Sequence, residues 1–155
     1  MADAVDGEYM MRQQLAPGCG EVLSFLYGKG FRFAVVTSRS PKLRDAALMF
    51  IQHHGLSIKY FHVTDHSPKG YLVNKLHARA FFDDGLYNLV PLVDSFVLPV
   101  FIRQPWNTHE TAPSRSSGIV AVINWVEFGK QMLYLKEVHE AICYFNKWEN
   151  AYFNL

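Results

Sequence analysis

The sequence predicts an α/β fold, a three-layer α/β/α sandwich around a mostly parallel sheet. Two short apolar runs, Phe33-Ala34-Val35-Val36 and Ala80-Phe81-Phe82, stop abruptly at polar groups, Thr37-Ser38-Arg39 in one case and Asp83-Asp84 in the other. That is the pattern of a parallel strand buried on both faces, its carboxyl end opening onto a site. Strand-like runs alternate with helical patterns along the chain, which implies crossover connections and layers of helix on the sheet. The 155 residues are 50% hydrophobic and 15% aromatic, enough for one domain with a sizeable core and too apolar for a disordered chain.

Each element has its own justification. Residues 1–16 form a polar, weakly patterned N-terminal segment, and 17–155 a single domain. Pro17-Gly18-Cys19-Gly20 opens a helix with Val22, Leu23, Phe25 and Leu26 as its apolar members, ending at Gly28 or Gly30. A strand over Phe31–Val36 follows. Ser40 is a good N-cap and Pro41 sits at the first helical position, where its missing N–H costs nothing. That helix carries Leu43, Ala47, Phe50 and Ile51, and Gly55 ends it. Tyr60–Val63 is a short strand, 69–77 a short helix and Arg79–Phe82 the third strand. A helical turn over Leu86–Val90 precedes the fourth strand, Val97–Ile102. Ser114-Arg115-Ser116-Ser117-Gly118 is a loop, and Ile119–Ile123 a fifth, edge-like strand. The chain closes on its clearest helix. Phe128, Met132, Leu135, Val138, Ile142, Phe145 and Trp148 recur at spacings of three and four, one apolar face expected to pack on the sheet.

Composition narrows the function. The net charge is +1, from 15 basic and 14 acidic residues, so no basic stripe argues for a nucleic-acid duplex or a membrane surface. No stretch of about 18 apolar residues suggests a membrane span. The acidic N-terminus lacks the apolar core of a secretory signal. Cys19 and Cys143 lack metal spacing and read as buried thiols of a reducing compartment, with Cys143 inert on the apolar side of the last helix and a single disulfide the alternative. The expectation is a soluble cytoplasmic protein.

The chemistry-bearing residues sit where ligands of open α/β sheets bind, just outside the carboxyl ends of strands. Thr37 or Ser38 offers a hydroxyl beside Arg39, where the Pro41 helix begins, and helix N-termini suit phosphate. Lys69, 14 positions before Asp83, supplies a cation. Asp83 and Asp84 supply hard oxygens for Mg²⁺. Together they are the parts needed to handle phosphate with a metal ion. Each has a plainer counterpart: Thr37-Ser38 as a strand-end cap, Lys69 as a solvated lysine, and the acidic pair as a turn or helix cap. The seven histidines show no zinc-like frame, since His53, His54, His62 and His66 fall on a helix end, a strand and a loop. Gly28-Lys29-Gly30 lacks the spacing of a phosphate loop and reads as a helix-to-strand turn.

In this order and spacing, the Pro17-Gly18 helix, Thr37-Ser38-Arg39, Lys69 and Asp83-Asp84 resemble the second, third and fourth motifs of the haloacid dehalogenase-like (HAD) phosphohydrolases. Asp84-Gly85-Leu86-Tyr87-Asn88, Gln104-Pro105-Trp106-Asn107 and Val122-Ile123-Asn124-Trp125 are similar to the 5′(3′)-deoxyribonucleotidase-like branch, and the resemblance spans about residues 15–130. It implies a Rossmannoid sheet and Mg²⁺-dependent hydrolysis of phosphomonoesters. Thr37, Lys69 and Asp83 would be catalytic. Thr37, Ser38, Arg39 and Lys69 would hold phosphate, and Asp83 with Asp84 the metal.

The chain departs from that pattern at the first motif. The family's nucleophile and general acid/base are two aspartates one residue apart, ending a first strand in the middle of the sheet. Upstream of Thr37 stand only Asp3 and Asp6, two residues intervening, with no apolar run before them. Without that strand, those ending at Thr37 and at Asp83 lack the neighbour between them. Three readings follow: a phosphomonoesterase, nucleotidase-like, whose nucleophile is not located; a non-catalytic HAD-like domain that binds a small phosphorylated ligand or a protein; and an incomplete sheet that self-associates or needs a partner chain. The absent aspartate pair favours the second and third.

Overall fold

The computed structural model describes residues 8–111, 113 and 117–153, with the backbone alone for 142 and 144–153. Asp3, Asp6, Ser114, Arg115 and Ser116 fall outside it, as do the side chains of Ile142, Phe145 and Trp148. The protein is α/β, with two small parallel sheets. β1 (Phe33–Thr37) pairs with β2 (Ile58–Val63), and β3 (Ala80–Asp83), β4 (Leu98–Ile102) and β5 (Val120–Val122) form the second sheet in that order. All three strand pairings are parallel. The helices are α1 (Cys19–Gly28), α2 (Arg44–His53), α3 (Gly70–Lys75), α4 (Leu86–Leu89) and α5 (Trp125–Phe153). None of the described helices is long and apolar enough to cross a membrane.

β4 is the most buried strand, and its alternation divides the core. Val100 and Ile102 meet Leu26 of α1 and Phe128 and Met132 of α5. Phe101 turns the other way, onto Leu89 of α4 and Ile119. Phe82 stacks beside Phe128 and Trp125, ring centroids 4.5 and 4.8 Å away, joining α5 to β3. A third cluster gathers Val73 of α3, Leu92 and Val97, with Val36 and Phe81 packed against it.

Several boundaries move for local reasons. Phe31 is not in β1, because its N–H closes the end of α1 on the Leu26 carbonyl at 3.1 Å while Gly30 turns with φ 94°. This left-handed C-terminal closure delays the strand to Phe33. Pro41–Leu43 is a 3₁₀ turn, capped by the Ser40 hydroxyl accepting from the Lys42 N–H, so the α-helix proper starts at Arg44. β2 begins two residues before the expected Tyr60, and α3 is shorter than 69–77. The N-terminal segment is helical over residues 8–12, with Met10 buried.

Two expectations need correcting. The apolar face of α5 packs through Phe128, Met132 and Leu135, but Val138 is 37% exposed and every described side chain beyond it lies in solvent. The helix simply outruns the sheet: 29 residues span about 43 Å, against roughly 17 Å for a five-residue strand. For the same reason Cys143 is exposed rather than buried, with its Sγ 3.6 Å from His139 Nε2, while Cys19 is buried; both thiols are free.

Candidate functional site

The carboxyl ends of β1 and β3 are brought together by one loop, residues 64–69. It leaves β2 beside β1, where the Thr64 N–H donates to the Thr37 carbonyl at 2.8 Å and the His66 N–H to the Ser38 carbonyl at 3.0 Å. Asp65 and His66 both have positive φ, 46° and 62°. Asp and His are among the few non-glycine residues that tolerate this region, and two in a row reverse the chain sharply. Three residues after His66, Lys69 stands at the N-terminus of α3 and its Nζ lies 2.7 Å from Asp83 Oδ2. The loop, with the Lys69 side chain, therefore links the end of β1 to Asp83 at the end of β3.

Asp83 is saturated. Oδ2 accepts from Lys69, and Oδ1 accepts from the Gly85 N–H at 2.9 Å and the Asn88 side-chain amide at 3.0 Å. Its side chain is 6% exposed and that of Lys69 12%, an ion pair largely shielded from water. Three donors, one of them the Lys69 ammonium, offset the cost of burying the carboxylate. The same bonds fix the turn at Gly85 that leads into α4.

Asp84 points elsewhere. Its Oδ2 accepts from Trp106 Nε1 at 2.6 Å, and its carbonyl from the Asn107 amide at 2.8 Å. That amide also reaches the Ile102 carbonyl at 2.8 Å, and Asn107 Oδ1 accepts from the Gln104 N–H at 2.8 Å. Asn107 is 2% exposed and ties the loop after β4 to the loop after β3. Glu110 adds a second tie, accepting from the Leu86 N–H at 3.2 Å. Asn107 and Trp106 entered the sequence reading only inside a similar tetrapeptide; nothing in the residue pattern marked Asn107 as the buried fastener.

Thr37 Oγ1 accepts from the Arg39 N–H at 3.4 Å, a local turn at the strand end, and Arg39 is exposed. The structure therefore joins Lys69 to Asp83, sets Thr37 and Ser38 across the 64–69 loop from them, and directs the Asp84 side chain toward Trp106. A cavity of about 270 Å³ adjoins the ion pair, lined by Lys69, Tyr71, Asn74, Tyr87 and Asn88 among others. A larger one, about 540 Å³, lies between the start of α1 and the turn at His54–Ser57.

Among the described residues no three His, Cys, Asp or Glu side chains are grouped to hold a metal ion. The Asp83-Asp84 pair alone offers too few protein oxygens for a dedicated cage. It suits Mg²⁺ only in the form where one or two carboxylates share the ion with water and a bound phosphate. The histidines disperse: His53 and His54 meet edge-on at 5.0 Å, and the Nε2 atoms of His54 and His62 are buried without a hydrogen-bond partner. No known protein family, curated protein or solved structure matches this chain.

Proposed function

We infer that the chain is a HAD-like domain of the three-layer kind, related to Mg²⁺-dependent phosphomonoesterases, that recognises a small phosphorylated molecule without turning it over. The observation that carries this reading is the Lys69–Asp83 pair held 2.7 Å apart at the same end of the sheets as Thr37 and Ser38. A cation, a hydroxyl and backbone N–H groups facing one region are what a phosphate dianion needs. Asp83 is engaged by three donors, so it cannot attack phosphorus without first surrendering them. Mg²⁺, when bound, would be held through the Asp84 carboxylate, with water and the bound phosphate completing its shell, and would neutralise phosphate charge. A cytoplasmic setting belongs to the same reading, supported by two free thiols.

Titration calorimetry with inorganic phosphate and Mg²⁺ tests it. Weak binding is expected, lost in Thr37→Ala and reduced in Asp84→Asn, while the wild-type chain and both variants keep the same circular dichroism. Binding unchanged in Thr37→Ala would place the anion elsewhere. No heat at millimolar phosphate would remove the phosphate reading.

A further inference from the structure

The distal half of α5 carries two metal-ligating side chains that the candidate site does not use. His139 and Cys143 are four residues apart, so they stand one above the other on one face of the helix. Cys143 Sγ lies 3.6 Å from His139 Nε2. A tetrahedral Zn²⁺ ion holds a thiolate at about 2.3 Å and an imidazole nitrogen at about 2.1 Å, which sets those two ligand atoms about 3.6 Å apart. The pair therefore already has the spacing of two neighbouring ligands on one ion. Both residues are exposed. They follow Phe128 and Met132 by about three turns, on the side of α5 that packs inward nearer its start. α5 is held to the body as far as Leu135, in the core cluster, and Lys136, whose Nζ donates to the Lys29 carbonyl at 2.8 Å. The pair stands past that point, where the helix has outrun the sheet.

We propose that His139 and Cys143 form half of a tetrahedral Zn²⁺ site, completed by the same two residues of a second copy of the chain. Thiolate and imidazole together suit zinc, whereas magnesium and calcium prefer oxygen. A structural zinc takes four protein ligands, and two Cys with two His is one of its ordinary sets. One chain supplies only half of that set. Among the described residues no three His, Cys, Asp or Glu are grouped for a metal ion, and the Glu140 carboxylate faces Lys136, 3.5 Å away. A two-fold axis through the ion brings an identical pair to the two empty positions, which closes the contact on itself. As Zn²⁺ binds, the Cys143 thiol releases its proton to water and the sulfur coordinates as thiolate, so no oxidant is needed. The proposal stands apart from the phosphate reading.

Sedimentation velocity on the intact chain tests it with Zn²⁺ alone as the probe, a phosphine reductant being present so that no Cys143 disulfide forms. About half an equivalent of Zn²⁺ per chain should double the mass, and EDTA should restore the monomer. Co²⁺ in place of Zn²⁺ should give the intense visible bands of a tetrahedral ion together with a thiolate charge-transfer band. Cys143→Ser and His139→Ala should each abolish the doubling while keeping the circular dichroism of the wild type, because both side chains lie in solvent. His109→Ala, at an exposed histidine elsewhere, should double as the wild type does. Five results would overturn the proposal: a chain that stays monomeric with stoichiometric Zn²⁺, a dimer that persists in EDTA, doubling that survives Cys143→Ser or His139→Ala, doubling lost in His109→Ala, or a cobalt spectrum without the thiolate band. One Zn²⁺ bound per chain without doubling belongs to the first of these and would put the completing ligands outside a second copy.

Discussion

Asp83 and Asp84 are neighbours in sequence with opposite energetic roles. Replacing Asp83 by Ala strands a largely buried ammonium and leaves the Gly85 N–H and the Asn88 amide without their acceptor. Breaking a buried pair this way costs about 3 kcal/mol or more. Asp84→Ala frees only an exposed indole N–H and should cost below about 1 kcal/mol. Urea denaturation of the two variants checks this, and equal losses would contradict it. The thiols diverge in the same manner. Burial, with the Glu21 carboxylate second, pushes the Cys19 thiol up from 9.0 to about 11. The folded state thus holds the Cys19 proton more tightly than the unfolded chain does. Its contribution to stability is whole below pH 9, declines as pH rises, and is gone above about 11. Ellman's reagent at pH 8 should label Cys143 quickly and Cys19 only after unfolding. Two fast thiols per chain would mean that α1 opens readily. In sequence the two cysteines looked alike, since burial is a property of where a helix ends relative to the sheet.

At the scale of elements, α5 is one helix with two environments. Phe128 is 6% exposed and wedged against Phe82 and Trp125, so Phe128→Ala should cost about 3 to 5 kcal/mol. Val138→Ala, ten residues on, should fall within about 0.5 kcal/mol of wild type. A large loss at Val138, measured by thermal unfolding at low concentration, would mean that the distal half is covered after all. Periodicity drew one apolar stripe through both positions, because a stripe reports which side of a helix is apolar and not how far the surface beneath it extends. Strand identities were legible for the complementary reason: Ala80–Asp83 and Leu98–Ile102 read as strands from short apolar runs bounded by polar groups. The hydrogen bonds that fasten their ends did not, since Asn107 meets Asp84 across 23 positions that no local pattern spans.

At the scale of the whole molecule, a covalent phosphatase would need a carboxylate held free and in line with phosphorus. Among the described residues the site contains one buried, fully bonded carboxylate and one tied to an indole, and neither is held free and in line for attack. Incubating the chain with p-nitrophenyl phosphate and Mg²⁺ is therefore expected to release no nitrophenolate above the rate of the Lys69→Ala variant. Turnover abolished by Asp6→Asn would instead locate the nucleophile in the N-terminal segment. The split into two parallel sheets accompanies this incompleteness. The expected sandwich needs a neighbour on the open side of both β1 and β3, and the chain supplies none among its described strands. Sequence made that lack visible as a missing apolar run. It could not say how the remaining strands would arrange themselves, because that depends on whether Phe33 and Val36 find enough apolar surface without the neighbour.

The bond from Trp106 to Asp84 gives the protein an optical consequence. An indole whose N–H is 2.6 Å from a carboxylate, on a residue 65% exposed, emits from a setting dominated by one nearby negative charge. A cation that claims Asp84 would take that charge away and release the N–H to water, so the emission maximum of Trp106 becomes a gauge of what Asp84 holds. Mg²⁺ titrated into the chain should move the spectrum, and Trp106→Phe should silence the change while leaving the signal of Trp125, packed against Phe82, where it was.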